Sequence, residues 1–144
     1  AGMSSELFYG RGPLQLSWNY NYGALAHAFG RPELCAQPEL VLSEPELLWG
    51  SAVWYWMEQF GCADSTCHDA ILRAQGFGQT VRNVNGCLEC EGLDDATVCI
   101  RAEAYVDFSR RLGVPPQMPI SCGGRSCERG SGCKRCRQDL RCGL

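Results

Sequence analysis

Apolar residues recur along the chain at spacings that predict three helices. The first is predicted over residues 21–29, where apolar positions stand four apart, and Gly30 follows as a C-terminal stop. The second is predicted over residues 43–61, because Ser43 can cap its first turn and Glu46 can reach back to close a capping box. Apolar residues occupy every face of this second helix, so we expect it to be buried on all sides.

The third helix is predicted over residues 95–112, where Gly113 and two prolines end the pattern. Arg101 falls on the apolar face of this helix, which places a guanidinium on its inward side. A buried arginine needs a carboxylate partner, since its charge cannot be neutralised. The expected apolar face consists of Val98, Ala102, Tyr105 and Leu112.

The segments between these helices have the composition of loops, at residues 61–68, 75–80 and 85–92. No alternation is long enough to need a sheet, so the predicted class is mainly α. After Pro119 the composition shifts sharply to Cys, Gly and Arg. We therefore expect one domain over residues 1–122, followed by a basic, Cys-rich tail over 123–144.

Composition narrows the setting in which the protein works. Eleven cysteines in 144 residues indicate an oxidising compartment and a secreted, disulfide-rich protein. No apolar run approaches the roughly 20 residues that cross a bilayer, so no membrane contact is expected. The tail has six basic and two acidic residues, a net charge of +4, within a chain whose overall charge is −3. Because the tail has no aromatic residue to stack on bases, we expect a solvated surface there and no nucleic-acid partner.

The run FYGRGPLQLSWNYNYG, residues 8–23, carries the most chemical information. It places neutral amides and hydroxyls among aromatic rings behind a Gly-Arg-Gly-Pro turn, which suits the hydroxyls, acetamido groups and flat faces of sugars. Ordinary protein interfaces also collect tyrosine and asparagine, so the chemistry alone leaves both interpretations open.

The same run resembles the signature of the family 19 chitinases almost letter for letter. Further segments resemble that family in its order: PELVLSEPELLWGSAVWYWM, CHDAI, GFG, NVNGCLEC and the helix that carries Arg101. The resemblance covers roughly residues 8–122. It implies a partial lysozyme-like fold and a chitin-type glycan as the partner, and no cofactor or metal is expected.

The family's functional positions fall on named residues of this chain. The resemblance implies that Glu89 and Arg101 pair beneath the catalytic centre and that Cys90 and Cys122 form a disulfide. It also implies a set of substrate-cleft residues, which are Gln15, Ser17, Tyr20, Asn21, Val84 and Asn85.

The resemblance supplies no catalytic residue within this chain. Inverting hydrolysis needs two carboxyl groups roughly 6.5–9.5 Å apart, one as acid and one as base. Both glutamates belong to the family's N-terminal half, and only Glu6 precedes the signature here. We expect Glu89 to form an ion pair with Arg101, to stay ionised and so to be unable to act as the acid. Three hypotheses follow: a glycan-binding module that does not hydrolyse by itself, an active chitinase whose glutamates lie on another segment or chain, or a disulfide-linked structural protein.

Closeness in sequence predicts how the other cysteines pair. We expect local disulfides between Cys62 and Cys67 and between Cys87 and Cys99. Four cysteines of the tail could form two disulfides or, less favoured by their spacing, hold zinc. Because the total is odd and no cysteine lies near Cys35, we expect Cys35 to be joined to another polypeptide.

Overall fold

The structure is a computed structural model that describes residues 7–90 and 95–122. Within those residues there is no β-strand, only an isolated antiparallel bridge between Arg11 and Leu16. The prediction of a mainly α protein is confirmed. The helices are α1 (Asn19–Phe29), a 3-10 helix (Pro32–Cys35), α2 (Leu40–Ser43), α3 (Pro45–Glu58), α4 (Cys67–Leu72), α5 (Phe77–Glu89) and α6 (Asp95–Arg111).

The described chain divides into two compact units, residues 7–56 and residues 57–122. Glu6 and the predicted tail at 123–144, with its four cysteines, lie outside the described residues. The boundary expected at residue 122 therefore stays a prediction. Within the described ranges, no helix combines the length and apolar character needed to cross a membrane.

In the first unit, α1 has the stop that the sequence predicted. Gly30 adopts a left-handed conformation with φ 63°, and its N–H donates to carbonyls of the last turn. Tyr22 and Leu25 are fully buried and fix the inward face of the helix. The helix starts at Asn19, two residues earlier than predicted, directly after Trp18 with φ 73°.

The predicted second helix, residues 43–61, corresponds to α3, which begins at Pro45 and ends at Glu58, and the short helix α2 precedes it. Pro45 begins α3, and its ring excludes the helical conformation for the preceding residue. Glu44 is accordingly extended, with φ −108° and ψ 115°. Ser43 ends α2 and its hydroxyl donates to the Leu40 carbonyl at 3.4 Å, so the prediction that Ser43 caps the longer helix is wrong.

Burial of α3 also differs from the prediction. Its buried residues, Leu47, Ser51 and Tyr55, stand four apart and form one stripe. The side chains on another face are open, with Trp49 64% exposed and Val53 62% exposed. The described chain covers a single stripe of this helix, so the expectation of burial on all sides is wrong.

The second unit contains helices where the sequence predicted loops. Thr66 caps α4 by accepting the Asp69 N–H at 3.0 Å, and α5 runs from Phe77 to Glu89 across a kink at Asn85. The predicted loops at 61–68, 75–80 and 85–92 are therefore partly helical. The buried face of α5 is mostly glycine and polar residues. Apolar residues do recur at helical spacing along it, at 77, 81, 84 and 88, but the glycines among them favoured loops in the sequence.

Helix α6 packs on α5 and closes the core of the second unit. Val81, Cys90, Val98 and Cys122 form this core, with Phe77 packed against it. Helix α6 spans Asp95–Arg111, within one residue of the prediction. Its buried face includes the predicted residues Val98 and Ala102. Leu112 is 75% exposed, because it follows the last turn, so its place on the buried face was predicted wrongly.

Candidate functional site

A tight loop over residues 8–18 positions the first group of candidate residues. Arg11 and Leu16 exchange backbone hydrogen bonds at 3.1 and 2.8 Å, and the Gln15 N–H donates to the Gly12 carbonyl at 3.0 Å. Gly12 has φ 75°, a conformation that favours glycine. The Trp18 N–H donates to the Phe8 carbonyl at 2.8 Å and closes the loop at its base.

Arg11 anchors this loop from inside, although its sequence position alone did not single it out. It is 4% exposed and donates to the Leu7 carbonyl at 3.0 Å and to the Tyr22 hydroxyl at 2.9 Å. Its guanidinium lies 3.7 Å from the centre of the Tyr9 ring. Burial raises the pKa of Tyr22, although Arg11 opposes the shift.

The structure brings together three of the predicted sugar-contacting residues beside this loop. Asn21 donates through Nδ2 to the Ser17 carbonyl at 2.8 Å, and the Ser17 hydroxyl donates to the Gln15 carbonyl at 2.8 Å. Gln15 donates through Nε2 to the Gly12 carbonyl at 3.0 Å. A Cβ on Gly10 would lie 2.8 Å from Gln15 Oε1 and 3.2 Å from Ser17 Oγ, so this glycine leaves room for both side chains.

These hydrogen bonds orient the side chains and leave acceptors open. Within the described residues, the side-chain oxygens of Gln15 and Asn21 accept no hydrogen bond. Gln15 is exposed and Asn21 is half-buried, so ligands can approach both amides. Tyr20, the fourth residue of this predicted group, lies half-buried in the first turn of α1.

In the second unit, Asn85, Glu89 and Arg101 form a continuous hydrogen-bonded chain. Arg101 donates through Nε to Glu89 Oε2 at 2.7 Å and through Nη2 to Oε1 at 2.9 Å. Asn85 donates through Nδ2 to the same Oε1 at 2.9 Å. Glu89 lies one turn after Asn85 on α5, so the carboxylate reaches the amide directly. Val84, also predicted at the cleft, is half-buried next to Asn85.

The carboxylate, and not the guanidinium, is the buried member of this pair. The Glu89 side chain is 2% exposed and that of Arg101 is 42% exposed. The prediction that Arg101 needs an acid partner agrees with the structure, but the prediction of a buried arginine is wrong. Arg101 thus pairs with the buried acid while its own side chain stays partly exposed to water.

Cysteine pairing departs from the order of the sequence. Cys90 and Cys122 are joined by a disulfide, as the resemblance implied. The Cys62 sulfur lies 2.8 Å from that of Cys87, which contradicts the predicted pairing of Cys62 with Cys67 and of Cys87 with Cys99. Cys67 and Cys99 are therefore left without the partners predicted for them.

Cys67 and Cys99 occupy opposite environments. Cys67 is fully buried, and its thiol lies 3.8 Å from the Thr80 carbonyl. Burial raises the pKa of the Cys67 thiol to about 12. Cys99 is exposed on α6. Helix packing decides these positions, and closeness in sequence does not.

Cys35 also differs from its prediction. It is disulfide-bonded in this structure, which contains one chain alone. A disulfide within a single chain corrects the expectation that Cys35 is joined to another polypeptide. That expectation assumed a partner close in sequence, whereas folding can bring distant cysteines together.

The predicted site residues therefore form two groups, one in each unit. Gln15, Ser17 and Asn21 are linked in the unit of residues 7–56, and Asn85, Glu89 and Arg101 are linked in the unit of residues 57–122. Each group consists of side chains that neighbouring groups hold in place. Both present amide chemistry suited to polar, uncharged ligands.

Several plant chitinases are similar to this chain in sequence. The family model described as class I chitinase, glycoside hydrolase family 19, matches residues 2–122. Chitinase 6 of Oryza sativa subsp. japonica is 39% identical over 120 residues, which are 83% of this chain and 41% of that protein. Endochitinase EP3 of Arabidopsis thaliana is 44% identical over 115 residues, which are 80% of this chain and 38% of that protein.

Solved structures give the same relationship. Chitinase C from Streptomyces griseus HUT6037 is 43% identical with a TM-score of 0.76, over 81% of this chain and 55% of that chain. A class IV family 19 chitinase from Zea mays is 37% identical with a TM-score of 0.67, over 80% of this chain and 52% of that chain. This chain thus spans about two fifths of these curated relatives and about half of these structures. By sequence and by fold, the chain belongs to the family 19 chitinases.

Proposed function

We propose that this chain is an extracellular module that binds β-1,4-linked N-acetylglucosamine glycans and does not hydrolyse them by itself. The observation that carries the proposal is the chain of hydrogen bonds from Arg101 through Glu89 to Asn85. It holds an amide in one orientation at a position that matches a sugar contact of the family.

The orientation of Asn85 defines what it can recognise. With Nδ2 donating to Glu89, the remaining amide oxygen is suited to accept a hydrogen bond from a sugar hydroxyl or an acetamido N–H. A preorganised acceptor loses less side-chain entropy when a ligand binds. The proposal therefore assigns Glu89 and Arg101 to positioning Asn85.

The loop of the first unit supports the same ligand class. The unused oxygens of Gln15 and Asn21 can accept from sugar hydroxyls. Tyr9 and Trp18 are 51% and 55% exposed, and their rings can cover the flat face of a pyranose. Neutral amides and aromatic rings together suit an uncharged glycan better than an ionic ligand.

The proposed lack of hydrolysis rests on the hydrogen bonds that occupy both carboxylate oxygens of Glu89. One of its oxygens accepts from Arg101, and the other accepts from Arg101 and Asn85. A general acid or base must reach the glycosidic oxygen or the attacking water. Glu89 is 2% exposed and occupied on both oxygens, so it is poorly suited to either role.

Calorimetry with N-acetylglucosamine tetramers and hexamers tests the proposal. Asn21→Ala and Asn85→Ala should each weaken binding by about 1 to 3 kcal/mol, because each leaves polar groups of the site unpaired. Gln37→Ala, at an exposed position in the turn after the 3-10 helix, is the control and should bind as the wild type does. Equal affinity in all variants, or no binding at all, would contradict the proposal and favour the structural-protein hypothesis.

A second candidate is an active chitinase whose acid and base lie on another segment or chain. The open apolar face of α3, with Trp49 and Val53 both more than half exposed, favours it. Such a face is suited to be covered by further protein. The test is to mix this chain with the separately produced region of Endochitinase EP3 that the matched residues leave out. Chitin-oligomer hydrolysis that appears only in the mixture would support this candidate, and Trp49→Glu should then abolish it.

A further inference from the structure

Cys62 and Cys87 stand in contact at the base of the kink that presents Asn85. They are 25 positions apart in sequence, and their sulfur atoms lie 2.8 Å from each other. A disulfide has an S–S distance of about 2.05 Å. A small movement of either side chain would bring the two sulfurs to bonding distance.

The backbone around the two cysteines is already fixed in register. The Cys62 N–H donates to the Asn83 carbonyl at 3.0 Å. A Cβ on Gly61 would lie 1.9 Å from that same carbonyl oxygen, so the chain passes directly over α5 at this point. The buried Asn83 side chain also donates to the Gln59 and Ser65 carbonyls. The segment of residues 59–65 is therefore tied to α5 before any covalent bond forms.

Asn85 lies in sequence between the two residues of α5 that contact the segment of residues 59–65, which are Asn83 and Cys87. Asn83 holds the segment of residues 59–65 on one side, and Cys87 contacts Cys62 on the other. Asn85 has φ −152° and ψ 33°, which interrupts the helical geometry of α5. A bond between Cys62 and Cys87 would fix both flanks of the interruption and with them the direction of the Asn85 side chain.

We propose that Cys62 and Cys87 form a disulfide that holds the kink of α5 and makes both cysteines positioning residues for Asn85. The part that concerns Asn85 rests on the proposed glycan binding. The crosslink itself rests only on the contact and the register of the two segments. It replaces the pairings that closeness in sequence suggested for these cysteines.

The oxidant is a low-molecular-weight disulfide of the glutathione type. One cysteine thiolate attacks a sulfur of the oxidant and releases one thiol, which leaves a mixed disulfide. The other cysteine thiolate then attacks the protein sulfur of the mixed disulfide and releases the second thiol. Two electrons pass from the protein sulfurs to the oxidant, and the two protons leave on the released thiols.

Disulfide mapping of the wild-type chain tests the bond without any ligand. The chain is equilibrated with oxidised and reduced glutathione, remaining thiols are alkylated, and peptides are analysed without reduction. We expect a peptide that joins Cys62 to Cys87, with Cys99 free of any link to either. Recovery of Cys62 and Cys87 as separately alkylated peptides from the oxidised sample would overturn the proposal.

Thermal melting supplies the second measurement. In the oxidising buffer, Cys62→Ser and Cys87→Ser should each lower Tm by about 5 to 10 °C, since each opens the same loop. The double variant should melt no lower than the single variants by more than about 2 °C. Cys99→Ser is the matched control and should leave Tm unchanged, because Cys99 is exposed on α6. Additive losses from the two single variants would overturn a shared bond.

Calorimetry separates the positioning role from the bond. Cys62→Ser should weaken binding of the N-acetylglucosamine hexamer by about 3- to 10-fold, whereas Cys99→Ser should not change it. A mapped crosslink with unchanged affinity in Cys62→Ser would overturn the positioning role. If the wild type binds no glycan but the crosslink is mapped, the proposed function fails and the disulfide stands.

Discussion

Removing Arg101 is the most direct test of how the second group of site residues is held. The guanidinium makes two hydrogen bonds to a carboxylate that is 2% exposed. In Arg101→Ala the acid keeps only the Asn85 amide as a hydrogen-bond donor among the contacts described above. The buried charge then lacks its counterion.

The structure sets the size of the effect between two limits. Removing one partner of a fully buried ion pair costs about 3 to 5 kcal/mol, whereas an exposed pair is worth about 0 to 1 kcal/mol. Here the acid is buried and the arginine side chain is 42% exposed, so water can approach the vacated position. We therefore expect Arg101→Ala to lower the free energy of unfolding by about 2 to 3 kcal/mol. That is a large fraction of the stability of a typical domain.

Urea denaturation followed by tryptophan fluorescence and circular dichroism measures this loss. Arg73→Ala is the matched control, because Arg73 lies 3.7 Å from Asp69 in a pair whose side chains are 64% and 37% exposed. It should change stability by less than about 0.5 kcal/mol. Glu89→Gln in the Arg101→Ala background should recover part of the loss by removing the unpaired charge. A loss below about 0.5 kcal/mol in Arg101→Ala would refute the argument that this pair holds the site.

Two further predictions concern buried positions of the chain. In the native protein at pH 8, the buried Cys67 should resist alkylation while the exposed Cys99 reacts. Mass spectrometry of the labelled protein measures both reactions. Reaction of native Cys67 at the rate of Cys99 would contradict its burial. Burial raises the pKa of Cys67 from 9.0 to about 12, so its thiolate is disfavoured in the folded state. The free energy of unfolding should therefore fall as pH rises from about 9 towards 12. Cys67→Ala should remove that part of the pH dependence of urea unfolding. Gly61→Ala should lower Tm far more than Gly30→Ala. Both glycines have positive φ, but a Cβ at Gly61 would meet the Asn83 carbonyl oxygen, whereas a Cβ at Gly30 would meet nothing within 4 Å. Equal losses of Tm in the two variants would contradict the close contact at Gly61.

Local chemistry made some elements predictable from the sequence. The end of α1 at Gly30 depends on a left-handed residue that glycine adopts without a steric penalty. The span of α6 followed from its apolar spacing and from Gly113, which has φ 67°. The acid partner of Arg101 was expected from its place on the inward face of that helix, but the side chain is 42% exposed, and the pairing with Glu89 followed from the resemblance. The two helix ends depend on residues only a few positions apart.

The failures arose where burial did not follow hydrophobicity. Helix α5 has apolar residues at helical spacing, at positions 77, 81, 84 and 88, but the glycines at 76, 78 and 86 favoured loops there. The helix also buries polar residues such as Asn83 and Glu89, which hydrophobicity does not predict. Helix α3 is apolar all round, yet Trp49 and Val53 are exposed because neighbouring elements of the described chain cover one stripe only. Pro45 marks the first residue of α3, which therefore begins two residues after the predicted start. An apolar pattern gives the capacity for burial, and only packing decides whether it is used.

The family, the helical class and the chemical types of the candidate site could be predicted from residue identity and order alone. The tertiary structure decided which groups meet. It places Cys62 beside Cys87 and leaves Cys67 as a buried thiol, and it buries Glu89 while Arg101 stays partly in water. Such contacts join residues from different helices, so their distances depend on how helices pack and not on how far apart residues stand along the chain.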